Sequence, residues 1–165
     1  MDRTLKAFLA LVAWSEGTST SPLTQNYGYD VLVSGVDGKA VFTDYSAHPF
    51  SSRPPVVVRT HFYPDGRPLL STAAGRYQIM LHNWHVYAPQ VGFTDFSPAC
   101  QDAIALDLIH ERFDLKRITI LGQIPAAILA CSSIWASFPG NSYGQGGHTL
   151  TALEARYEAL LCQQP

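Results

Sequence analysis

The sequence predicts an α+β fold, mostly helical, with a small antiparallel β region, and three observations carry that reading. A helical apolar repeat opens the chain, a segment of turns and short β-prone pieces follows, and helical texture returns after Gly75 to the end. The 165 residues are 47% hydrophobic and 15% charged, which suits one soluble domain over residues 1–165 with a single buried core.

Leu5, Phe8, Leu9, Val12 and Ala13 repeat at helical spacing, with Asp2 ahead of them and Gly17 behind, so residues 3–15 are expected to be an amphipathic helix. From Thr18 to Ser71 strands are expected at 29–34, 40–43 and 56–60, separated by Asp37-Gly38, His48-Pro49 and Asp65-Gly66. Helices are then expected at 77–87, at 97–112 with Ser97-Pro98 as cap and first residue, at 124–137, and at 151–163. Pro139 to Gly147 reads as an open loop between the last two. The arrangement is compatible with a cleft, the β region forming one lip.

Charge excludes one class of function. Eleven Lys and Arg are scattered against thirteen acids, net −2, whereas binding held by nucleic-acid phosphates needs clustered cations. Residues 5–14 are apolar but flanked by Asp2, Arg3 and Lys6, lack a cleavage site and are interrupted by Glu16, so they are not a convincing signal peptide. No apolar run approaches the roughly 18 residues of a membrane span. Cys100, Cys131 and Cys162 are odd in number and unpaired in motif, which suggests free thiols in a reducing compartment.

Only four glutamates occur, at 16, 111, 154 and 158. Glu16 lies eleven residues after Leu5, which at about 100° per residue returns it to the apolar face of the first helix. There, desolvation and the negative end of the helix dipole both disfavour the anion and raise the pKa. Such a group can act as a general acid, and a glycosidic oxygen is a common recipient of its proton. The other reading of Glu16 is a frayed, solvated helix end beside Gly17.

Five motifs, in order along the chain, bear on this choice: Trp14-Ser15-Glu16-Gly17-Thr18, Tyr27-Gly28-Tyr29-Asp30-Val31, Phe42-Thr43-Asp44-Tyr45-Ser46, residues 71–78 (STAAGRYQ) and residues 134–140 (IWASFPG). Together they resemble the phage lambda type endolysins, lytic transglycosylases of lysozyme-like fold. Phe96-Ser97-Pro98, Gln101-Asp102-Ala103 and Tyr143-Gly144-Gln145 fit the same pattern.

The resemblance implies that Glu16 protonates the oxygen linking N-acetylmuramic acid to N-acetylglucosamine in peptidoglycan, after which the muramic C6 hydroxyl attacks C1 to give a 1,6-anhydro product. It implies Asp30, Ser71 and Thr72 as substrate contacts. Gly75-Arg76-Tyr77-Gln78-Ile79 is similar to the Gly-x-Met-Gln-Ile strip of bacterial lytic transglycosylases, which adds Tyr77 and Gln78; Trp135 and Tyr143 would offer flat faces to sugar rings. Each has a plainer reading in packing or solvation, the core being the commoner place for Trp135.

The segment 46–71, rich in proline and aromatics, looks longer than in the lambda protein, so subsite number does not carry over. His82 and His85 lack an HExxH frame or an acidic third ligand and read as ordinary helix histidines; no metal and no cofactor is expected. The resemblance further implies host lysis by a monomer that waits in the cytoplasm until a holin-like protein permeabilises the membrane, then acts at the periplasmic wall. A hydrolytic muramidase, with Asp30 or Asp44 as second carboxylate, and a non-catalytic glycan-binding module are the alternatives. The low charge leaves recognition to cleft contacts more than to long-range attraction.

Overall fold

The computed structural model describes every residue except 121, 141–146 and 165. The chain forms two compact units, Met1–Gly17 with Ala105–Pro165, and Thr18–Ile104.

The first unit is helical. α1 (Arg3–Ser15) has the bounds expected: Asp2 accepts from Thr4 N at 2.8 Å as N-cap, and Gly17, at φ 70°, ends the helix. Phe8, Leu11 and Val12 are wholly buried, so α1 forms the centre of this unit. It packs chiefly on α6 (Leu150–Cys162) and also on α4 (Leu115–Thr119), with Phe8 edge-on to Phe138 at 6.3 Å between ring centres. The five-residue α4, capped by Asp114, was not anticipated, being too short for periodicity to reveal.

The helix expected at 124–137 is shorter. α5 (Ile124–Ala130) gives way to a 3₁₀ turn at Cys131–Ser133, where Ser132 Oγ donates to Leu129 O at 2.8 Å and its hydroxyl competes for a helical carbonyl. A further turn, Phe138 N to Trp135 O at 3.0 Å, leads the chain through Ser137.

The second unit holds the sheet. β1 (Val56–Arg59) and β2 (Leu69–Ser71) are antiparallel, with Val56 opposite Ser71, Val57 opposite Leu70 and a bulge before Arg59 opposite Leu69. β1 fits the expected 56–60; β2 was not anticipated. The strands expected at 29–34 and 40–43 are reduced to isolated bridges. Leu32 N bonds Ala40 O and Phe42 N bonds Asp30 O around the Val31–Val41 bridge, but Leu32 and Val33 then turn to the 73–74 segment and the ladder stops.

α2 (Leu81–Gln90) starts four residues later than expected. Gly75 and Gln78 have φ of 77° and 49°, so residues 75–78 form a tight turn closed by paired bonds between Ala74 and Ile79, a backbone no helix can contain. α3 (Pro98–Arg112) begins at the proline, with Ser97 Oγ accepting from Cys100 N at 3.3 Å. The core of this unit is aromatic: Phe96 lies 4.5 Å from His48 and 6.0 Å from Phe42.

Candidate active site

Glu16 is the C-cap of α1, its N–H still bonded to Val12 O at 3.0 Å, so the helix fixes its backbone while Gly17 turns the chain away. The residue is partly exposed, yet its carboxyl is desolvated, and this raises its pKa above the ordinary 4.5. Hydrogen bonds from the Ser137 hydroxyl and backbone act the other way and oppose part of that rise.

Ser137 Oγ lies 2.6 Å from Glu16 Oε1 and 3.0 Å from Ser15 Oγ, and Ser15 Oγ donates to Val12 O at 2.9 Å. No ion pair involves Glu16 among the described residues. Two residues earlier, the partly exposed Trp14 ring stacks on His148 at 4.4 Å, with the Arg156 guanidinium 5.3 Å from its centre.

Within the second unit the candidate contacts divide by burial. Asp30 is buried, accepting from Thr24 Oγ1 at 2.5 Å and Gln25 N at 2.8 Å; Thr24 Oγ1 in turn accepts from Gly28 N at 2.7 Å. Asp30 therefore organises the 24–28 loop from inside. The same loop carries Tyr27 at φ 51° with its side chain 78% exposed, an aromatic face that the sequence reading passed over.

Tyr77, expected to touch substrate, is instead 2% exposed, with its hydroxyl donating to Asp102 Oδ1 at 2.6 Å, an oxygen it shares with Tyr29 at 2.7 Å. Trp135 is likewise 2% exposed and packs edge-on to Phe138. Both are large apolar rings that the fold needs inside. Ser71 and Thr72 are half-buried, Ser71 Oγ accepting from Ala73 N and Thr72 Oγ1 from Leu81 N at the head of α2. Gln78 is also half-buried, its Nε2 donating to Gly75 O at 3.1 Å. Tyr143 lies outside the described residues.

Gln101 holds the 75–78 turn in place. Wholly buried, it accepts from Arg76 N at 2.8 Å and donates to Tyr29 O and Phe96 O at 3.1 and 3.0 Å. A Cβ on Gly75 would stand 2.1 Å from Gln101 Oε1, so only glycine fits there. Gln101 and Asp102 fall within a motif of the sequence, but a long-range amide clamp has no local signature there. Asp44 is exposed, and hydrogen bonds from Ser46 hold its carboxyl below the ordinary range. It lines a polar cavity of about 490 Å³ with Thr43, Ser46 and Arg53. Among the described residues no group of three His, Cys, Asp or Glu side chains could hold a metal, and His82 and His85 are both exposed.

Known proteins resemble this chain over nearly all its length. Residues 6–163 match the Endolysin family. The endolysin of Escherichia phage P2 is 49% identical over 150 residues, covering 90% of this chain and 87% of that protein; the endolysin of Escherichia phage lambda is 46% identical over 154, covering 93% and 88%. Bacteriophage lambda lysozyme complexed with a chitohexasaccharide superposes with a TM-score of 0.82 at 45% identity, covering 97% of this chain and 95% of that one. Lysozyme from bacteriophage lambda gives 0.72 at 41%, covering 99% and 92%. A chain with a desolvated glutamate capping its first helix, and with this extent of likeness in sequence and backbone, belongs to the endolysin family and has its lysozyme fold.

Proposed function

We propose that residues 1–165 act as one catalytic domain that cleaves the β-1,4 bond between N-acetylmuramic acid and N-acetylglucosamine in peptidoglycan by intramolecular transglycosylation, with Glu16 as acid and then base. The observation that carries this is the Glu16 carboxyl, desolvated and hydrogen-bonded to a hydroxyl with no ion pair among the described residues. Raised pKa keeps the proton on the acid at pH values where a surface carboxylate has lost it.

The steps balance without water. Glu16 gives its proton to the glycosidic oxygen as the C1–O bond breaks, the positive charge spreading over C1 and the ring oxygen. The C6 hydroxyl of the same muramic residue then bonds to C1, its proton passing to the Glu16 carboxylate. One group serves twice, as microscopic reversibility permits, and the product is a 1,6-anhydro end. Tyr27, Gln78, Ser71 and Thr72, partly or fully exposed side chains of the matched motifs in the second unit, are assigned to the glycan. Tyr143 retains that assignment from the family resemblance alone, whereas Asp30 is assigned to the loop that carries Tyr27. The hexasaccharide in the lambda lysozyme complex supports an extended glycan as ligand.

Digestion of purified peptidoglycan and weighing of the muropeptides tests the reaction. Anhydro ends, one water lighter than reducing ends, are expected; reducing ends would assign hydrolysis instead. Glu16→Gln is expected to lose about a hundredfold or more of the rate. Full activity in that variant would remove Glu16 from the chemistry, and glycan binding without cleavage by the unaltered chain would leave only a binding module.

The phage origin of its relatives supports a role in host lysis. In that role the enzyme works as a monomer and is held in the host cytoplasm until a separate holin-like protein opens the membrane. No described helix is long and apolar enough to cross a membrane. Lysis from within that stops when the holin-like protein is deleted, with the enzyme left active in extracts, is the expected result.

A further inference from the structure

We infer that Ser15 and Ser137 form a hydroxyl pair that positions the Glu16 proton, storing it in the resting enzyme and turning it towards the substrate when the glycan binds. This rests on the reading of Glu16 as the acid.

Hydrogen counting carries the inference. Three contacts run in series, Glu16 Oε1 to Ser137 Oγ at 2.6 Å, Ser137 Oγ to Ser15 Oγ at 3.0 Å, and Ser15 Oγ to Val12 O at 2.9 Å. Each hydroxyl owns one hydrogen. When Glu16 is ionised, Ser137 donates to the carboxylate and Ser15 to Val12 O, and the contact between the two serines carries no hydrogen. When Glu16 is protonated on Oε1, it donates to Ser137, Ser137 to Ser15, and Ser15 to Val12 O. Every contact is then filled. The neutral acid gains one bond that the anion lacks, in a place where Ser15 is buried.

The same pair accounts for delivery. The Glu16 carboxyl then turns about its Cγ–Cδ bond, carrying its O–H from Ser137 towards the glycosidic oxygen, and the Ser137 hydroxyl rotates to donate to the unprotonated oxygen that takes its place. No covalent bond of either serine breaks: the carboxyl and the hydroxyls rotate, and the Glu16 O–H bond breaks only as its proton passes to the glycosidic oxygen. Both serines are positioning residues.

None of the other charged groups on the elements packed against α1 forms an ion pair with Glu16 among the described residues. On and beside α6, Arg156 and His148 lie against Trp14; on α4, Arg117 bonds Gln123 and covers Phe113, and Lys116 is exposed. Glu154 and Glu158, also on α6, have no ion pair among the described residues.

The test is the alkaline limb of kcat/KM against pH for solubilising purified peptidoglycan, where activity falls as Glu16 loses its proton. Ser137→Ala removes the charge-assisted bond to the anion, which outweighs the two neutral bonds the protonated state loses with it, and should move the limb upward by about one pH unit. Ser15→Ala removes the acceptor that only the protonated chain uses and should move it downward by roughly half a unit. Ser137→Thr keeps the hydroxyl and should restore the original limb.

Opposite shifts support the inference. Shifts in one direction, no shift, or failure of Ser137→Thr to restore the limb overturn it, since a packing role would treat the two alanines alike. Carbon-13 titration of the Glu16 carboxyl, assigned by its loss in Glu16→Gln, reads the same shifts without activity. It thereby separates failure here from failure of Glu16 as the acid. Ser15→Cys, with a poor acceptor, replaces Ser15→Ala if that variant does not fold.

Discussion

Replacing Gly75 by alanine tests how the 75–78 turn is held. The backbone there has φ 77°, which costs an L-residue about 1–2 kcal/mol, offset by about 0.4–1 kcal/mol because alanine restricts the unfolded chain. The larger cost is steric. The new Cβ would stand 2.1 Å from Gln101 Oε1 and 2.6 Å from Cδ, and the amide cannot withdraw without giving up Arg76 N, Tyr29 O or Phe96 O. Leaving one such buried group unpaired costs about 1–3 kcal/mol, so the total is about 3 kcal/mol. For a chain of this size that lowers Tm by about 6–12 °C. Urea unfolding followed by tryptophan fluorescence measures it. Gly66, at φ 82° with nothing within 4 Å of its Cβ position, is the control: Gly66→Ala carries the backbone cost alone, about 1 kcal/mol or less. Equal losses in the two variants would refute the clamp, whatever their size.

Three further outcomes are expected. The Glu16 pKa is raised in the folded state, so the ionised side chain costs stability as pH rises through that value; Glu16→Gln should melt higher than the unaltered chain at neutral pH, with the gain fading below about 4.5. A variant that melts lower at pH 7 would contradict the desolvation. His48 is buried with Nδ1 accepting from Phe50 N and Nε2 donating to Ile79 O, and burial lowers its pKa to about 4. Stability tied to it is complete above 6.5 and lost as pH falls through 4, and its ring resonances should titrate near 4, a midpoint near 6.5 being the contrary result. Cys100 and Cys131 are buried with thiols pushed up to about 12, whereas Cys162 is exposed, so a thiol reagent should modify one cysteine in the native protein and three in denaturant.

The elements legible in the sequence are those whose causes lie within a turn or two of chain. α1 has its expected bounds because an apolar repeat, the Asp2 cap and the Gly17 stop are all local. Ser97-Pro98 opens α3 for the same reason. The motif around Glu16 and the family likeness were legible too, as strings of residues in order. Tertiary structure decided the rest. Whether the 29–34 and 40–43 segments became strands depended on a third segment taking their hydrogen bonds, and α2 began late because paired bonds between Ala74 and Ile79 closed the turn before it. Tyr77 and Trp135 carry side chains that suit either a sugar or a core, and only packing could assign them to the core. Ser137 stands 121 residues from Glu16 and reaches it because α5 breaks at Ala130. A glutamate at a helix end is visible in the sequence, but its protonation is set by desolvation and by that distant hydroxyl, and both exist only once the chain has folded.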